Sequence, residues 1–463
     1  MKFRWTTMRV LLAGLLLAAV TLTAAQAQEA KPRPNVLFVA VDDLRPELGC
    51  YGVSQVKTPH IDRLAAAGVK FDRAYCQFPL CNPSRSSMLT GRHPHTTGVL
   101  DNTVWFKEAH PDWVSLPQHF QQNGYVSARV GKIFHGGIDD TDAWSVGGDP
   151  RKPVATKKPG QQAGQSDRIV ELDGEGESHA DFKTAARAIE LLNELKAKPF
   201  FLAVGFTKPH SPPTAPKKMF AMYDPAKIPL PPDFAKLPTV PEGFPAASVP
   251  PRSSDLFIGR EASPEAAREM IRAYHASLTF TDTNVGKVLD ELDRLGLAKN
   301  TVVVFFGDHG YHLGEKGKWS KHGSLFEIGT RVPLIVRWPG AAGNGKTSGR
   351  TVQLLDVYPT LVELCGLPAA SGQQGHSLAP LLRDPGASWS HPAFTLAGGG
   401  NRIGHSIRTE RWRYTEWNNG EAGAVLFDHQ ADPHEIQNLA ADAAHAQTIA
   451  ELKRQLHERY AQP

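Results

Sequence analysis

The sequence predicts an α/β fold: a large, mostly parallel β-sheet flanked by helices, followed by a smaller C-terminal subdomain of antiparallel sheet plus helix. Two observations carry this reading. Short β-branched and aromatic runs alternate with segments of helical periodicity along most of the chain. Four of those runs also end in ionisable side chains, the position at which open α/β sheets place a ligand crevice.

In chain order, Met1 to Ala27 reads as a signal peptide, with Lys2, Arg4 and Arg9 first, the apolar run Val10 to Leu22 next, and Ala25-Gln26-Ala27 last. The alternative, a membrane anchor, needs a longer apolar run of about 20 residues. Strands are expected at Asn35 to Val41, Val126 to Val130, Phe200 to Val204, Thr301 to Phe306 and Pro333 to Trp338. Helices are expected at Asp181 to Lys198 and Ser263 to Leu295. In the second, Tyr274, Leu278, Val285, Leu289 and Leu292 form a core-facing stripe. Pro209 to Pro251 holds 13 of the 36 prolines, so it is expected to be a long ordered loop, a lid or pocket wall. A boundary is placed near Asp384 to His391, dividing a catalytic domain, residues 28–385, from a subdomain, residues 386–463. In that subdomain Ser406 to Arg408 and Trp412 to Trp417 read as strands and Ala444 to Tyr460 as a closing helix.

The 463 residues are 41% hydrophobic and 21% charged, a composition with ample material for a core. The formal charge of +4 includes the three basic residues of the signal segment, and the remainder is nearly neutral. A general basic surface for nucleic acid is thereby excluded. No later stretch is long and apolar enough to span a membrane. The cysteines, Cys50, Cys76, Cys81 and Cys365, are too sparse for a disulfide framework, so one is expected to have another task.

The four strand ends carry Asp42-Asp43, then Lys132 and His135, then Lys208 and His210, then Asp308-His309. Asp42, Asp43 and Asp308 crowded at one sheet edge call for a cation. Oxygen donors favour a hard ion, Ca2+ or Mg2+, with calcium the expectation. His309 adds a borderline nitrogen, and the donor types alone leave zinc open.

The most specific segment is Cys81-Asn82-Pro83-Ser84-Arg85 through Leu89-Thr90-Gly91-Arg92. Pro83 suits the first turn of a helix, which puts Cys81 at a helix N-terminus, where an anion meets free N–H groups. Arg85 adds a planar fork for a tetrahedral oxyanion. The segment resembles the sulfatase signature, in which a maturation enzyme oxidises the cysteine to formylglycine. The resemblance covers nearly the whole chain after the signal segment, is to the formylglycine-dependent sulfatases of the alkaline phosphatase superfamily, and is nearest to the iduronate-2-sulfatase group. Asp42-Asp43-Leu44-Arg45-Pro46, Gly131-Lys132-Ile133-Phe134-His135, Lys208-Pro209-His210, Asp308-His309-Gly310 and Trp319-Ser320-Lys321 are each similar to that group's segments. Most sulfatases have Asn where this chain has His309, and the histidine is shared with the iduronate-2-sulfatase and choline-sulfatase-like branches.

The resemblance implies metal ligation by Asp42, Asp43, Asp308, His309 and the modified Cys81. It places Arg85, Lys132 and His135 around the formylglycine, His210 as the acid for the departing alcohol, and Lys321, with Lys208 a weaker candidate, as substrate-binding. The activity it implies is that of a periplasmic or secreted sulfatase acting on a sulfated carbohydrate, such as a 2-O-sulfated uronate. The alternatives are a phosphonate or phosphate ester hydrolase on the same fold and an inactive carbohydrate-binding homologue.

Overall fold

The computed structural model describes residues 33–149, 167–399 and 402–461. Met1 to Ala27, expected from the sequence to be a signal peptide, lies outside the described residues. Strands β1 (Asn35–Val41), β2 (Val69–Tyr75), β3 (Val126–Gly131), β4 (Val170–Leu172), β5 (Phe200–Phe206), β6 (Thr214–Pro216), β7 (Thr301–Gly307), β8 (Arg331–Arg337) and β9 (Thr347–Gln353) precede β10 (Ala393–Gly399), β11 (Arg402–Arg408), β12 (Trp412–Trp417) and β13 (Ala424–Asp428). The large sheet has seven strands in the order β3-β5-β1-β7-β8-β2-β9. It is parallel except for β8, which runs antiparallel to both β7 and β2.

The central strand shows why the sheet forms here. All seven residues of β1 are buried, and after Asn35 the run is apolar throughout, as a parallel strand covered on both faces requires. Its residues nevertheless alternate between two cores. Val36, Phe38 and Ala40 pack with Met88, Leu89, Leu116 and Phe120 on one face, whereas Leu37, Val39 and Val41 pack with Leu191, Leu192, Leu278 and Leu289 on the other. The helices that matter for the site are α1 (Pro59–Ala67), α2 (Cys81–Thr90), α3 (Ala180–Leu195) and α4 (Pro264–Arg294). Helix α4 begins as its sequence demands. The Ser263 side chain accepts from the Ala266 N–H, and Pro264 occupies the first helical position, where no N–H is needed.

β2 and β9 are absent from the strands expected above. In β2 the charged residues Lys70, Asp72 and Arg73 interrupt the apolar pattern and are only half-buried. β9 is a polar strand at the sheet edge. The proline-rich stretch contains regular structure after all: β6 pairs parallel with β4, and Lys217–Phe220 makes one helical turn. Further along it hydrogen-bonds to the loop that leads to Lys321, with Ala235 N to Gly314 O at 3.4 Å and Thr239 N to Lys316 O at 3.0 Å, and just beyond it Leu256 N donates to Trp319 O at 3.1 Å.

The second sheet is a four-stranded antiparallel meander, β10-β11-β12-β13, with α5 (Ala446–Ala461) packed on it through Leu452 and Leu456. A buried ionic network ties it to the first sheet. Glu327 receives Arg408 Nε at 3.1 Å and Arg413 Nη2 at 2.7 Å, and Glu435 lies 2.7 Å from Arg413 Nε. Among the described residues no helix is long and apolar enough to cross a membrane. All four cysteines are free thiols.

Candidate active site

Strands β1, β3, β5 and β7 are mutually parallel, so their carboxyl ends share one edge, and the four ionisable clusters meet there. Backbone bonds carry the ladder into the loops: Asp42 N donates to Phe206 O at 3.1 Å, Asp308 N to Val41 O at 3.1 Å, and Lys132 N to Gly205 O at 2.9 Å. Gly205 has to be glycine, because a Cβ there would fall 1.9 Å from the Lys132 carbonyl oxygen.

Helix α2 delivers Cys81 to the same edge. Every residue of α2 is buried, and it ends on Gly91 at φ +65°, whose N–H returns to Met88 O at 3.3 Å. A side chain at Gly91 would collide with Gln373. At the other end the Asn82 N–H donates to Asn102 Oδ1 at 3.0 Å, and the Asn82 amide donates to the carbonyls of Asp101 and Val104 at 2.8 and 2.7 Å. The residue after Cys81 thus pins loop 101–104 beside the cluster, a role its place in the signature did not reveal.

Cys81 Sγ lies 3.3 Å from both Asp42 Oδ1 and His309 Nε2. Ligand atoms of Asp42, Cys81, Asp308 and His309 all fall within 4.8 Å of one another, and all four residues are buried. Asp43 borders this group, with Oδ1 3.5 Å from His309 Nδ1. Asp308 is the organiser: Oδ1 accepts the Asp43 N–H at 3.2 Å, Oδ2 accepts Arg85 Nε at 2.7 Å, and its carbonyl accepts Ser84 Oγ.

The electrostatics fit a cation. Burial opposes charge on His309, yet Asp308, Cys81 and Asp43 overcome it and push the imidazole up to about 10. Burial pushes Asp43 up to about 6, against the pull of Lys321 and His210. Asp42 is held well below the carboxylate range: burial opposes ionisation, but Lys132, His210 and Arg85 together prevail. Three carboxylates, Asp42, Asp43 and Asp308, beside one borderline nitrogen match a hard divalent ion.

Basic groups line the cluster. Lys132 ion-pairs with Asp42 Oδ2. Arg85, fully buried, donates Nη1 to the carbonyls of Lys132 and Ile133 at 2.6 and 2.8 Å, leaving Nη2, 3.8 Å from Asp42 Oδ1, without a hydrogen-bond partner. That orphaned donor is what an incoming oxyanion requires. His135 is pushed down to about 4 by burial and by Lys132, and its buried Nδ1 also has no hydrogen-bond partner. His210 places Nε2 3.8 Å from Asp43 Oδ2 and Nδ1 2.7 Å from Ser211 O. A carbonyl oxygen only accepts, so Nδ1 carries the hydrogen and Nε2 gains one only in the imidazolium. Lys321 reaches Asp43 Oδ1 at 2.9 Å.

Lys208 is placed differently. It is buried, and its ammonium is engaged by the carbonyls of His210 and Pro212, which fixes the loop carrying His210. Asp255, in the stretch that follows the proline-rich segment, went unnoticed in the sequence, yet its carboxylate lies 3.3 Å from Lys321 Nζ. No motif marks it, because the contact bridges loops far apart in the chain.

Comparison with known proteins agrees with this arrangement. The sulfatase family pattern matches residues 34–367, and the pattern described as N-sulphoglucosamine sulphohydrolase, C-terminal, matches residues 314–462. The chain is 32% identical to the iduronate 2-sulfatase of Mus musculus, over 93% of this chain and 95% of that protein. A solved structure described as a 2-O GAG sulfatase superposes with a TM-score of 0.70 at 27% identity, covering 92% of each chain. The phosphonate monoester hydrolase of Agrobacterium radiobacter shares the fold, with a TM-score of 0.77 at 23% identity over 93% of this chain and 96% of its own. A family pattern that spans the strands of the site, and a relative alike over nearly the whole chain, make this protein a member of the sulfatase family, the sulfuric ester hydrolases.

Proposed function

We propose that this protein is an exported sulfatase that removes sulfate from a carbohydrate, a 2-O-sulfated uronate or a related unit, with formylglycine made from Cys81 as its nucleophile. The observation that supports it best is Cys81 Sγ at a helix N-terminus, 3.3 Å from both Asp42 Oδ1 and His309 Nε2. The named activities of the mouse relative and of the 2-O GAG sulfatase support the substrate class. Export rests on the sequence of Met1 to Ala27.

Position 81 as a thiol has no route to release a sulfate it has accepted. As the hydrated aldehyde it offers two hydroxyls: one attacks sulfur as the sugar oxygen leaves, and loss of the proton from the other expels sulfate and restores the aldehyde. Asp42, Asp43, Asp308 and His309, with the modified Cys81, would hold a divalent ion, calcium in our reading. When bound, that ion supplies Lewis-acid charge beside the nucleophile. Arg85 Nη2 and Lys132 take the sulfate oxygens, His135 in its neutral form accepts the hydroxyl proton, and His210 as imidazolium protonates the departing alkoxide. Lys321 contributes to sulfate binding, while Lys208 supports the His210 loop.

Two measurements test the reading. The tryptic peptide containing position 81, from protein made in its native host, is expected to be lighter than the thiol form by about 18 Da. Parallel assays are expected to release sulfate from a 2-O-sulfated disaccharide, with little phosphate from a phosphate or phosphonate ester. Preference for the phosphorus ester would overturn the assignment.

A further inference from the structure

Among the five candidate metal ligands only Asp43 has its backbone in the left-handed region, at φ +58°. A residue with a side chain seldom adopts that conformation unless its surroundings impose it. Its own N–H is held by Asp308 Oδ1 at 3.2 Å. Its carbonyl is held by a single hydroxyl from α4: Tyr274 Oη donates to Asp43 O at 2.8 Å and accepts the Arg45 N–H at 3.2 Å. One phenol therefore closes both ends of the turn Asp43-Leu44-Arg45.

Tyr274 belongs to the stripe of α4 that the periodicity reads as core, and its ring is indeed buried. The other members of that stripe, Leu278, Val285, Leu289 and Leu292, bring only apolar surface. The Tyr274 ring lies nearly parallel to Tyr311, centroids 6.1 Å apart at 15°, and Tyr311 Oη in turn donates to Trp319 O at 3.3 Å, in the loop that carries Lys321. Ring and hydroxyl are thus both fixed, and a phenylalanine would fill the same space without the two hydrogen bonds.

We propose that Tyr274 is a positioning residue of the metal site, its hydroxyl locking the left-handed turn that aims the Asp43 carboxylate at His309 and Lys321. The inference rests on the metal-site reading above. Partners that orient ligating groups typically set metal affinity by about 10- to 100-fold.

The test is calorimetric titration of Ca2+ into chelator-stripped full-length protein, for the wild type, Tyr274→Phe and Leu289→Ala. Tyr274→Phe is expected to bind Ca2+ about tenfold more weakly, and excess Ca2+ to recover most of its lost turnover. Leu289→Ala, a cavity in the same helix face, is expected to lower the unfolding midpoint at least as much while leaving Ca2+ affinity within about twofold. Unchanged Ca2+ affinity in Tyr274→Phe, or an equal loss in Leu289→Ala, would overturn the positioning role. Absence of Ca2+ and Mg2+ binding by the wild type would overturn the metal-site reading and this role with it.

Discussion

Asp255 Oδ2 lies 3.3 Å from Lys321 Nζ, and the same ammonium sits 2.9 and 3.1 Å from the two carboxylate oxygens of Asp43. Burial opposes a charge on Lys321, but Asp255 and Asp43 outweigh it and hold the amine well above its ordinary value. Lys321 is thus a fixed cation shared between the metal loop and the stretch after the proline-rich segment. In Asp255→Asn one of its two charged partners is lost, and the buried ammonium keeps the Asp43 carboxylate alone. Steady-state kinetics is expected to show a loss of about tenfold in kcat/KM, with little change in the thermal midpoint.

Asp42 and Asp308 both face Cys81, but their loss is expected to differ in kind. Asp42→Asn keeps the hydrogen-bonding shape and removes charge from the cluster, so turnover should fall by more than about 10^3-fold in a folded protein. Asp308→Ala also strands the fully buried Arg85, whose Nε it holds at 2.7 Å. Breaking a buried pair on one side costs about 3 kcal/mol or more, which urea denaturation should register beside the loss of activity.

His210 carries its neutral-state hydrogen on Nδ1, toward Ser211 O, so its work as an acid depends on the imidazolium. The need for that proton scales with the basicity of the leaving group. His210→Ala is expected to reduce turnover of a sugar sulfate by about 10^2-fold or more and of 4-nitrophenyl sulfate by less than about tenfold. Equal losses on both substrates would remove His210 from the acid role.

Asp282 is an acid away from the site with a readable pH signature. Its carboxylate caps α1, accepting the N–H groups of His60 at 3.1 Å and Ile61 at 2.8 Å, and burial pushes it up to about 7. In the unfolded chain an aspartate titrates near about 3.9. The folded form therefore binds its proton more tightly. The stabilisation this brings is complete below about pH 4 and is lost as pH rises to about 7. Asp282→Asn keeps one acceptor and removes the titration, so its urea midpoint is expected to fall less than that of the wild type between pH 4 and 7.

Much of the fold was legible because parallel strands buried on both faces leave nearly continuous apolar runs, and β1, β5 and β7 appear close to their expected positions, as does the edge strand β3. β2 and β9 were not, since strands with charged or polar residues on a half-covered face lose that contrast. The clusters around Asp42, Lys132, His210 and Asp308 were legible for a related reason. In a parallel sheet every strand's carboxyl end points to one edge, so position along each strand is enough to predict convergence.

By itself the sequence determined the backbone frame, the sheet edge that bears the chemistry, and the signature at the head of α2. The tertiary structure decided which charged groups face the cluster. Lys208 turns back to two carbonyls of its own loop, Asp255 reaches Lys321, and Tyr274 leaves an otherwise apolar stripe to grip Asp43. Periodicity records the local backbone state and the side of an element that is buried. The partner a buried polar atom finds is fixed by packing between segments, and the Tyr274 hydroxyl and the Asp43 carbonyl it holds are 231 positions apart in the chain.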